Sequence, residues 1–314
     1  MTRTGRLVRR ALAVLFGIGA ALVAAEAAYR WLRVPGLSPT THPAYVVHDP
    51  ELGWRYRPNA RARHRSAEFD VAIEINAHGF RGPDWPERGS RPLVLVLGDS
   101  LVFGWGVEEH EALCGRLRAR HPEWDVRGVG ISGQAPDQQL LLLRRLADLA
   151  PDVIVCVSCV NDGYEVATDF VYGLRKPRFV ATGDGVAPAG LPGPSHFLRE
   201  HSLLLRAADK LLWRWRFQQS APAEDWQLVA ALYRTMRGEH PKAGFVVAAD
   251  HRALEASVGA DPRFRYVPLQ GLLAEGRGAF IFPIDTHWNA AGHARVAEAI
   301  DTAIAAELAA RGPR

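Results

Sequence analysis

Hydrophobic positions fall into three kinds of pattern along the 314 residues. One is an unbroken apolar run over 11–25 that stops at Glu26 and resumes at Ala27 and Ala28. That run is short for a membrane-spanning helix, which needs about 20 residues. Counting through Tyr29 and Trp31 reaches the length and puts both aromatic rings at the interface. A second pattern is the period-two alternation of residues 69–75, Phe-Asp-Val-Ala-Ile-Glu-Ile, which predicts a half-buried strand. Asn76-Ala77-His78-Gly79 closes it as a turn.

The third pattern is a series of short, apolar-rich segments. Residues 92–97 form a continuous apolar run, as expected for a central parallel strand buried on both faces, and 126–131, 153–157, 245–249 and 264–269 read as further strands. Segments 108–120, 135–149 and 290–309 read as helices between and after them. This alternation predicts a layered α/β fold with helices on both faces. It is interrupted over 163–241, a stretch too long for a simple crossover. That stretch holds a Gly/Pro-rich segment (183–194), an aromatic-rich helical segment (203–217) with Trp213, Trp215 and Phe217, and a further helix over about 224–238. Such an insertion covers a site, faces a bilayer or a partner, or buries its tryptophans as core for the extra helices. The expected organisation is a signal-anchor or signal peptide over 1–31 and a linker over 32–50 with Pro35, Pro39 and Pro43. A β-rich prelude over 51–91 and the main domain over 92–309 follow.

Composition narrows the class. The chain is 48% hydrophobic and 23% charged, which is globular rather than disordered. Much of the net charge of +4 comes from the ends, where Arg3, Arg6, Arg9 and Arg10 precede the apolar run and Arg311 and Arg314 close the chain. No basic stripe with interleaved aromatic residues supports nucleic-acid binding, and Arg61, Arg63 and Arg65 read as a solvated face. The basic flank keeps the start of the chain inside and exports the body. The expected location is the inner (cytoplasmic) membrane, single-pass, with the main domain outside the cytoplasm. The alternative is a secreted or periplasmic protein released at the small residues Ala25-Glu26-Ala27. Cys114, Cys156 and Cys159 lack a disulfide framework, and Cys156 and Cys159 read as buried thiols.

Polar residues cluster where an open α/β sheet carries its chemistry, at the carboxyl ends of strands. Asp99 and Ser100 end the first core strand, Ser132 and Gly133 the second, and Asn161 and Asp162 follow the third. Asp285 and His287 precede the last helix. Acyl chemistry needs a nucleophile, a base, an orienter and oxyanion donors. Ser100, His287 and Asp285 supply the first three, while the Ser100 and Gly133 N–H groups and the Asn161 amide can meet an oxyanion. Singly, Ser100 reads as a helix N-cap, Asn161 as a turn residue and Asp285-Thr286-His287 as a surface loop. Their joint placement carries the functional reading. His110, His121, His240 and His293 lack metal-ligand spacing, so neither a metal nor another cofactor is expected.

These segments resemble the sequence blocks of the SGNH hydrolases, the GDSL esterase/lipase superfamily. Gly98-Asp99-Ser100-Leu101-Val102-Phe103-Gly104 is similar to the first block and Gly130-Ile131-Ser132-Gly133 to the second. Val160-Asn161-Asp162 is similar to the third, and Asp285-Thr286-His287-Trp288-Asn289-Ala290-Ala291-Gly292-His293 to the last. The resemblance implies a flavodoxin-like three-layer α/β/α sandwich, here with the prelude and a helical insertion. It implies Ser100 as nucleophile, His287 as base, Asp285 as orienter, and an oxyanion hole of Ser100, Gly133 and Asn161. Asp99 then shapes the turn, Asp162 supports its loop, Trp288 walls the pocket or packs, and His293 is structural. Two departures stand out. Cys159 occupies a place usually held by glycine, and one residue, Thr286, separates Asp285 from His287 where the family usually has two. The short spacing is similar to the alginate O-acetylation branch.

The expected activity is a serine esterase acting on a small-molecule, lipid or glycan ester. The alternatives are an O-acyltransferase that moves acetyl to a cell-envelope glycan, with an envelope protein partner or a soluble donor, and a non-catalytic envelope scaffold.

Overall fold

Apolar length decides the first element. α1 (Arg3–Leu32) contains the 25-residue stretch Gly5–Tyr29, long and apolar enough to cross a membrane and almost wholly exposed. The same length and composition suit a retained anchor and a cleaved signal sequence. The computed structural model describes residues 3–32, 45–183, 185–192, 202–219, 223–273 and 278–311. Pro35, Pro39 and Pro43 of the expected linker, residues 193 and 194 of the Gly/Pro-rich segment, and Arg314 lie outside the described residues.

Two antiparallel hairpins follow, β1 (Val46–Asp49) with β2 (Gly53–Tyr56) and β3 (Arg61–Arg65) with β4 (Asp70–Glu74). β1 starts inside the stretch read as linker, because Tyr45 is buried against Tyr56 and Phe103 and draws the chain into the core. β4 follows its alternation, burying Val71 and Ile73 and turning Asp70 and Glu74 outward. Across the hairpin, Arg63 and Arg65 pair with Asp70, and Arg61 lies near Glu74, as a solvated face.

The main domain then runs through β5 (Leu93–Gly98), the one-turn α2 (Ser100–Phe103), α3 (Leu113–Arg120), β6 (Asp125–Gly130), α4 (Pro136–Arg145), β7 (Val153–Val157) and the one-turn α5 (Asp162–Glu165). Two small hairpins come next, β8 (Phe170–Val171) with β9 (Leu174–Arg175) and β10 (Arg178–Thr182) with β11 (Gly185–Gly190). The chain closes with α6 (Leu203–Gln219), α7 (Trp226–Glu239), β12 (Gly244–Ala249), β13 (Arg265–Pro268) and α8 (Ala290–Arg311). The helix expected over 108–120 is split: a short turn over Glu109–Glu111 ends at an extended Ala112 before α3 begins.

Five strands form one parallel sheet in the order β13-β12-β7-β5-β6. Counted along the chain, that is the 2-1-3-4-5 order of doubly wound flavodoxin-like folds. Strand alternation sorts the apolar side chains into two layers. Leu95, Leu97, Ile154, Cys156 and Phe245 join α4, α7 and the prelude on one face. Val94, Val96, Val155, Val246 and Val267 join α3 and α8 on the other. The expected α/β/α sandwich is the observed fold.

The stretch read as an insertion contains a core element. α7 buries Leu228, Val229, Leu232, Tyr233 and Met236 and is the crossover from β7 to β12, packed beside α4. Helical periodicity reveals a buried face but not its partner. The additions to the basic fold are the two hairpins and α6, so this region is part strand and part helix. Tyr172 and Gly173 both have positive φ, the geometry of a two-residue hairpin turn.

Candidate active site

The chain order reverses between β5 and β7, where sheets of this type open a crevice. β5 feeds directly into α2 through Gly98, where a side chain would strike Val102 and the Val157 carbonyl. Asp99 caps the turn, its Oδ1 accepting from Leu101 N at 2.9 Å. Ser100 therefore starts α2 as its first residue rather than serving as the cap, and it is 8% exposed.

His287 and Asp285 reach Ser100 from the loop before α8. Ser100 Oγ lies 2.9 Å from His287 Nε2, and His287 Nδ1 lies 2.5 Å from Asp285 Oδ1. An ionised carboxylate only accepts, so Nδ1 carries the proton and Nε2 of the neutral ring accepts from the serine. Thr286 has φ 73°, and this left-handed spacer lets side chains two residues apart meet. The loop is clamped by Phe282 N donating to the His287 carbonyl at 2.9 Å and Thr286 N to the Phe282 carbonyl at 3.1 Å. Asp285 Oδ2 accepts from the Trp105 indole at 3.2 Å, and that indole also stacks on His287. From the prelude, the Glu68 carboxylate accepts from Ile284 N and Asp285 N at 3.0 and 2.6 Å. Burial opposes ionisation of Asp285, but the hydrogen bond and charge of His287, with the Trp105 indole, hold its carboxyl below the usual range.

The loop after β6 is held by the prelude. Ser132 N donates to the Tyr56 hydroxyl at 2.7 Å, that hydroxyl donates to Ser132 Oγ at 2.9 Å, and the Trp54 indole donates to the Ser132 carbonyl at 3.2 Å. Gly133 follows with φ 75°, and a Cβ there would lie 2.9 Å from the Tyr172 ring. Glycine is required on both counts. The Ser100 and Gly133 N–H groups donate to no protein acceptor among the described residues.

The loop after β7 is organised by buried carboxyls. Asp162 Oδ2 accepts from Ser158 Oγ at 2.7 Å and Cys159 N at 2.9 Å, so Asp162 ties the loop together. Asn161 Nδ2 donates to Glu165 Oε1 at 2.6 Å and to the Tyr172 hydroxyl at 3.3 Å, while that hydroxyl donates to Glu165. The amide is thus oriented by Glu165, and one of its two protons is engaged there. Burial is the main reason that Asp99 and Asp162 resist ionisation. It also pushes the Glu165 carboxyl up to about 8. Lys176, the buried cation beside this region, is paired with Asp137. Cys159, expected to be buried, is only partly so, because it lies on the crevice-side loop beyond the strand end.

Ser100, His287 and Asp285 are brought into one hydrogen-bonded chain, and Gly133 and Asn161 meet on Tyr172. Trp288 is buried with the apolar layer under α8 and packs edge-on against His293, so it is core rather than pocket wall. Glu68, Trp105, Glu165 and Tyr172 were missed by sequence reasoning. Of these only Trp105, between Gly104 and Gly106 just after the serine turn, had a local signal. Among the described residues, no group of His, Cys, Asp and Glu is arranged to hold a metal ion. A surface cleft of about 320 Å³ lined by Trp85, Arg91 and Trp124 lies at the amino end of β6, away from this chemistry.

Residues 96–295 match the model of the GDSL-like Lipase/Acylhydrolase family. No curated protein matches. Similar solved structures include one described as the crystal structure of TesA, 18% identical over 67% of this chain and 96% of that one, with a TM-score of 0.41. A lipolytic protein of the G-D-S-L family from Veillonella parvula DSM 2008 is 12% identical over 67% of this chain and 96% of that one, with a TM-score of 0.41. The salicylyl-acyltransferase SsfX3 from a tetracycline biosynthetic pathway is 16% identical over 73% of this chain and 58% of that one, with a TM-score of 0.40.

Proposed function

The chain belongs to the GDSL-like lipase/acylhydrolase family, and from that membership we propose that it is a serine esterase that cleaves carboxylic esters through an acyl-enzyme on Ser100. The observation that carries this reading is the continuous chain from Ser100 Oγ through His287 to Asp285, at 2.9 and 2.5 Å. His287 Nε2 takes the serine proton as Oγ attacks the acyl carbonyl. Asp285 holds the ring in the tautomer this needs and stabilises the imidazolium. The Ser100 and Gly133 N–H groups receive the oxyanion, joined by the Asn161 Nδ2 proton that exchanges its long 3.3 Å contact with the Tyr172 hydroxyl for the substrate oxygen. His287 then returns the proton to the leaving alcohol, and water resolves the acyl-enzyme.

In this reading α1 is a retained anchor and the catalytic domain lies outside the cytoplasm. The use of Glu26 within the fold supports retention, because cleavage after Ala27 would remove it from the contacts it makes with α6.

The direct test is fluorophosphonate labelling of the full chain in detergent. Labelling is expected, and it is expected to vanish in Ser100→Ala. No labelling together with no turnover of short-chain esters would defeat the reading. A second reading, transfer to a cell-envelope glycan hydroxyl, is favoured by the near-complete burial of Ser100, which restricts water at the acyl-enzyme. Acetyl transfer to a glycan faster than to water would select it.

A further inference from the structure

α6 makes contacts on one side and leaves an apolar stripe on the other. Its inner side carries Trp213 against Tyr172 and Phe217 against Tyr164, with ring centroids 5.1 and 5.4 Å apart. Leu205, Ala208, Leu212 and Trp215 recur at i, i+3, i+7 and i+10 and therefore share one face, with Leu211 beside it. That face is open to solvent: Leu205 is 41%, Leu211 52%, Leu212 42% and Trp215 58% exposed. Arg214 and Arg216, both exposed, stand near Trp215.

The start of α6 is fixed to α1. The Glu26 carboxylate accepts from Leu203 N at 2.8 Å, Leu204 N at 3.0 Å and Ser202 Oγ at 2.9 Å. A carboxylate is costly inside hydrocarbon and favourable at a helix N-terminus. Glu26 lies within one turn of the outer end of the Gly5–Tyr29 stretch, so α6 begins close to the level where that stretch leaves the bilayer. The apolar surface of α1 and the stripe on α6 are thus joined at the level where a bilayer surface lies. Leucines and a tryptophan bordered by arginines are the composition that seats a helix in the headgroup–acyl boundary of anionic lipid.

We propose that α6 is a second membrane contact, an interfacial helix whose Leu205–Leu212–Trp215 face lies in the bilayer that α1 crosses. This rests on the retention of α1. The helix holds the Tyr172 side of the Ser100 site at the lipid surface through Trp213 and Phe217.

The test uses the full chain in vesicles of phosphatidylethanolamine and phosphatidylglycerol. Leu212→Cys carries an environment-sensitive fluorophore, with the parent chain as the blank for its native thiols. Lys242→Cys, at the amino end of the sheet, is the control. Spin-labelled lipids are expected to quench the label at 212, placing it about 5–10 Å into the boundary region. They are expected to leave the label at 242 untouched. Adding Trp215→Glu to the 212 variant is expected to reduce the lipid quenching while fluorophosphonate labelling of Ser100 is retained. Quenching at 212 by aqueous iodide but not by lipid would overturn the proposal. So would efficient 212–212 disulfide formation in dilute vesicles, which would make the face a contact between two copies. Release of the chain by alkaline carbonate would instead remove the anchor reading beneath it.

Discussion

Two carboxyls flank the candidate site and work under opposite electrostatics. Asp285 accepts from His287 and the Trp105 indole, and these partners keep it ionised despite partial burial. Glu165 accepts from Asn161 and Tyr172, is fully buried, and is held toward its neutral form. One side stores charge next to the base, and the other orients an amide with little charge. Pairs of titratable groups pushed apart in this way separate acid–base from positioning roles. The comparison also explains why Lys176 does not make the second side resemble the first: its ammonium is engaged by Asp137.

The largest expected effects lie on the charged side. Ser100→Ala is expected to remove up to about 10⁶ in kcat, and Asp285→Asn about 10⁴, because an amide no longer selects the required imidazole tautomer. Turnover of p-nitrophenyl acetate by the full chain measures both. Near-normal turnover by Asp285→Asn would erase the contrast between the two carboxyls. Asn161→Ala comes next, at roughly 10²–10³ in kcat with KM little changed, the cost of one lost oxyanion donor. A loss no larger than about threefold would reduce the Asn161–Glu165 bond to a structural tie.

Trp105→Phe sharpens the charged side. It keeps a ring over His287 but removes the indole donor to Asp285, and about a tenfold loss in kcat is expected from one hydrogen bond to a charged group. The acid limb has a definite sign. The Asp285 carboxyl is depressed in the folded chain, so its stabilisation is present above the unfolded value near 3.8 and lost as pH falls through the lower folded value. Losing the indole raises that folded value toward 3.8, so acid unfolding of Trp105→Phe is expected to begin at higher pH. Circular dichroism across an acid titration checks it.

The charged side was also the more legible one. Continuous apolar runs located the central strands β5, β7 and β12, because a strand buried on both faces leaves that signature. β6 (Asp-Val-Arg-Gly-Val-Gly) and the partly exposed edge strand β13 (Arg-Tyr-Val-Pro) were placed from shorter apolar segments and the strand–helix alternation. Ser100, Asp285 and His287 were legible from their places at element ends. Glu165 was not, because a glutamate four residues after an asparagine is an ordinary helical spacing, and its burial comes from Tyr172 and α7. Tyr172 sits at a hairpin turn marked only by Gly173. Glu68, Trp54 and Tyr56 act from the prelude over long sequence separations, which periodicity does not encode. The role of α7 was misread for the same reason. Its buried stripe was visible, but its place beside α4 was not.

The smallest expected effect tests the neutral side alone. Glu165→Gln keeps a carbonyl oxygen able to accept from Asn161 Nδ2, so turnover at pH 6 is expected to stay within about threefold of the parent. What changes is the alkaline behaviour. Glu165 has a folded-state value near 8 against an ordinary value of 4.5. The folded chain therefore holds the proton more tightly, and the resulting stability is full below about pH 4.5 and declines as pH rises through about 8. Each unit crossed in that window removes at most about 1.4 kcal/mol. Above the window the parent must carry an ionised, buried Glu165 whose nearest cation, Lys176, is already paired with Asp137, whereas the glutamine variant carries no charge. Urea midpoints at pH 5, 7 and 9 are thus expected to fall more steeply in the parent than in Glu165→Gln. Parallel curves would mean that Glu165 is already ionised at neutral pH and that both sides of the site are charged.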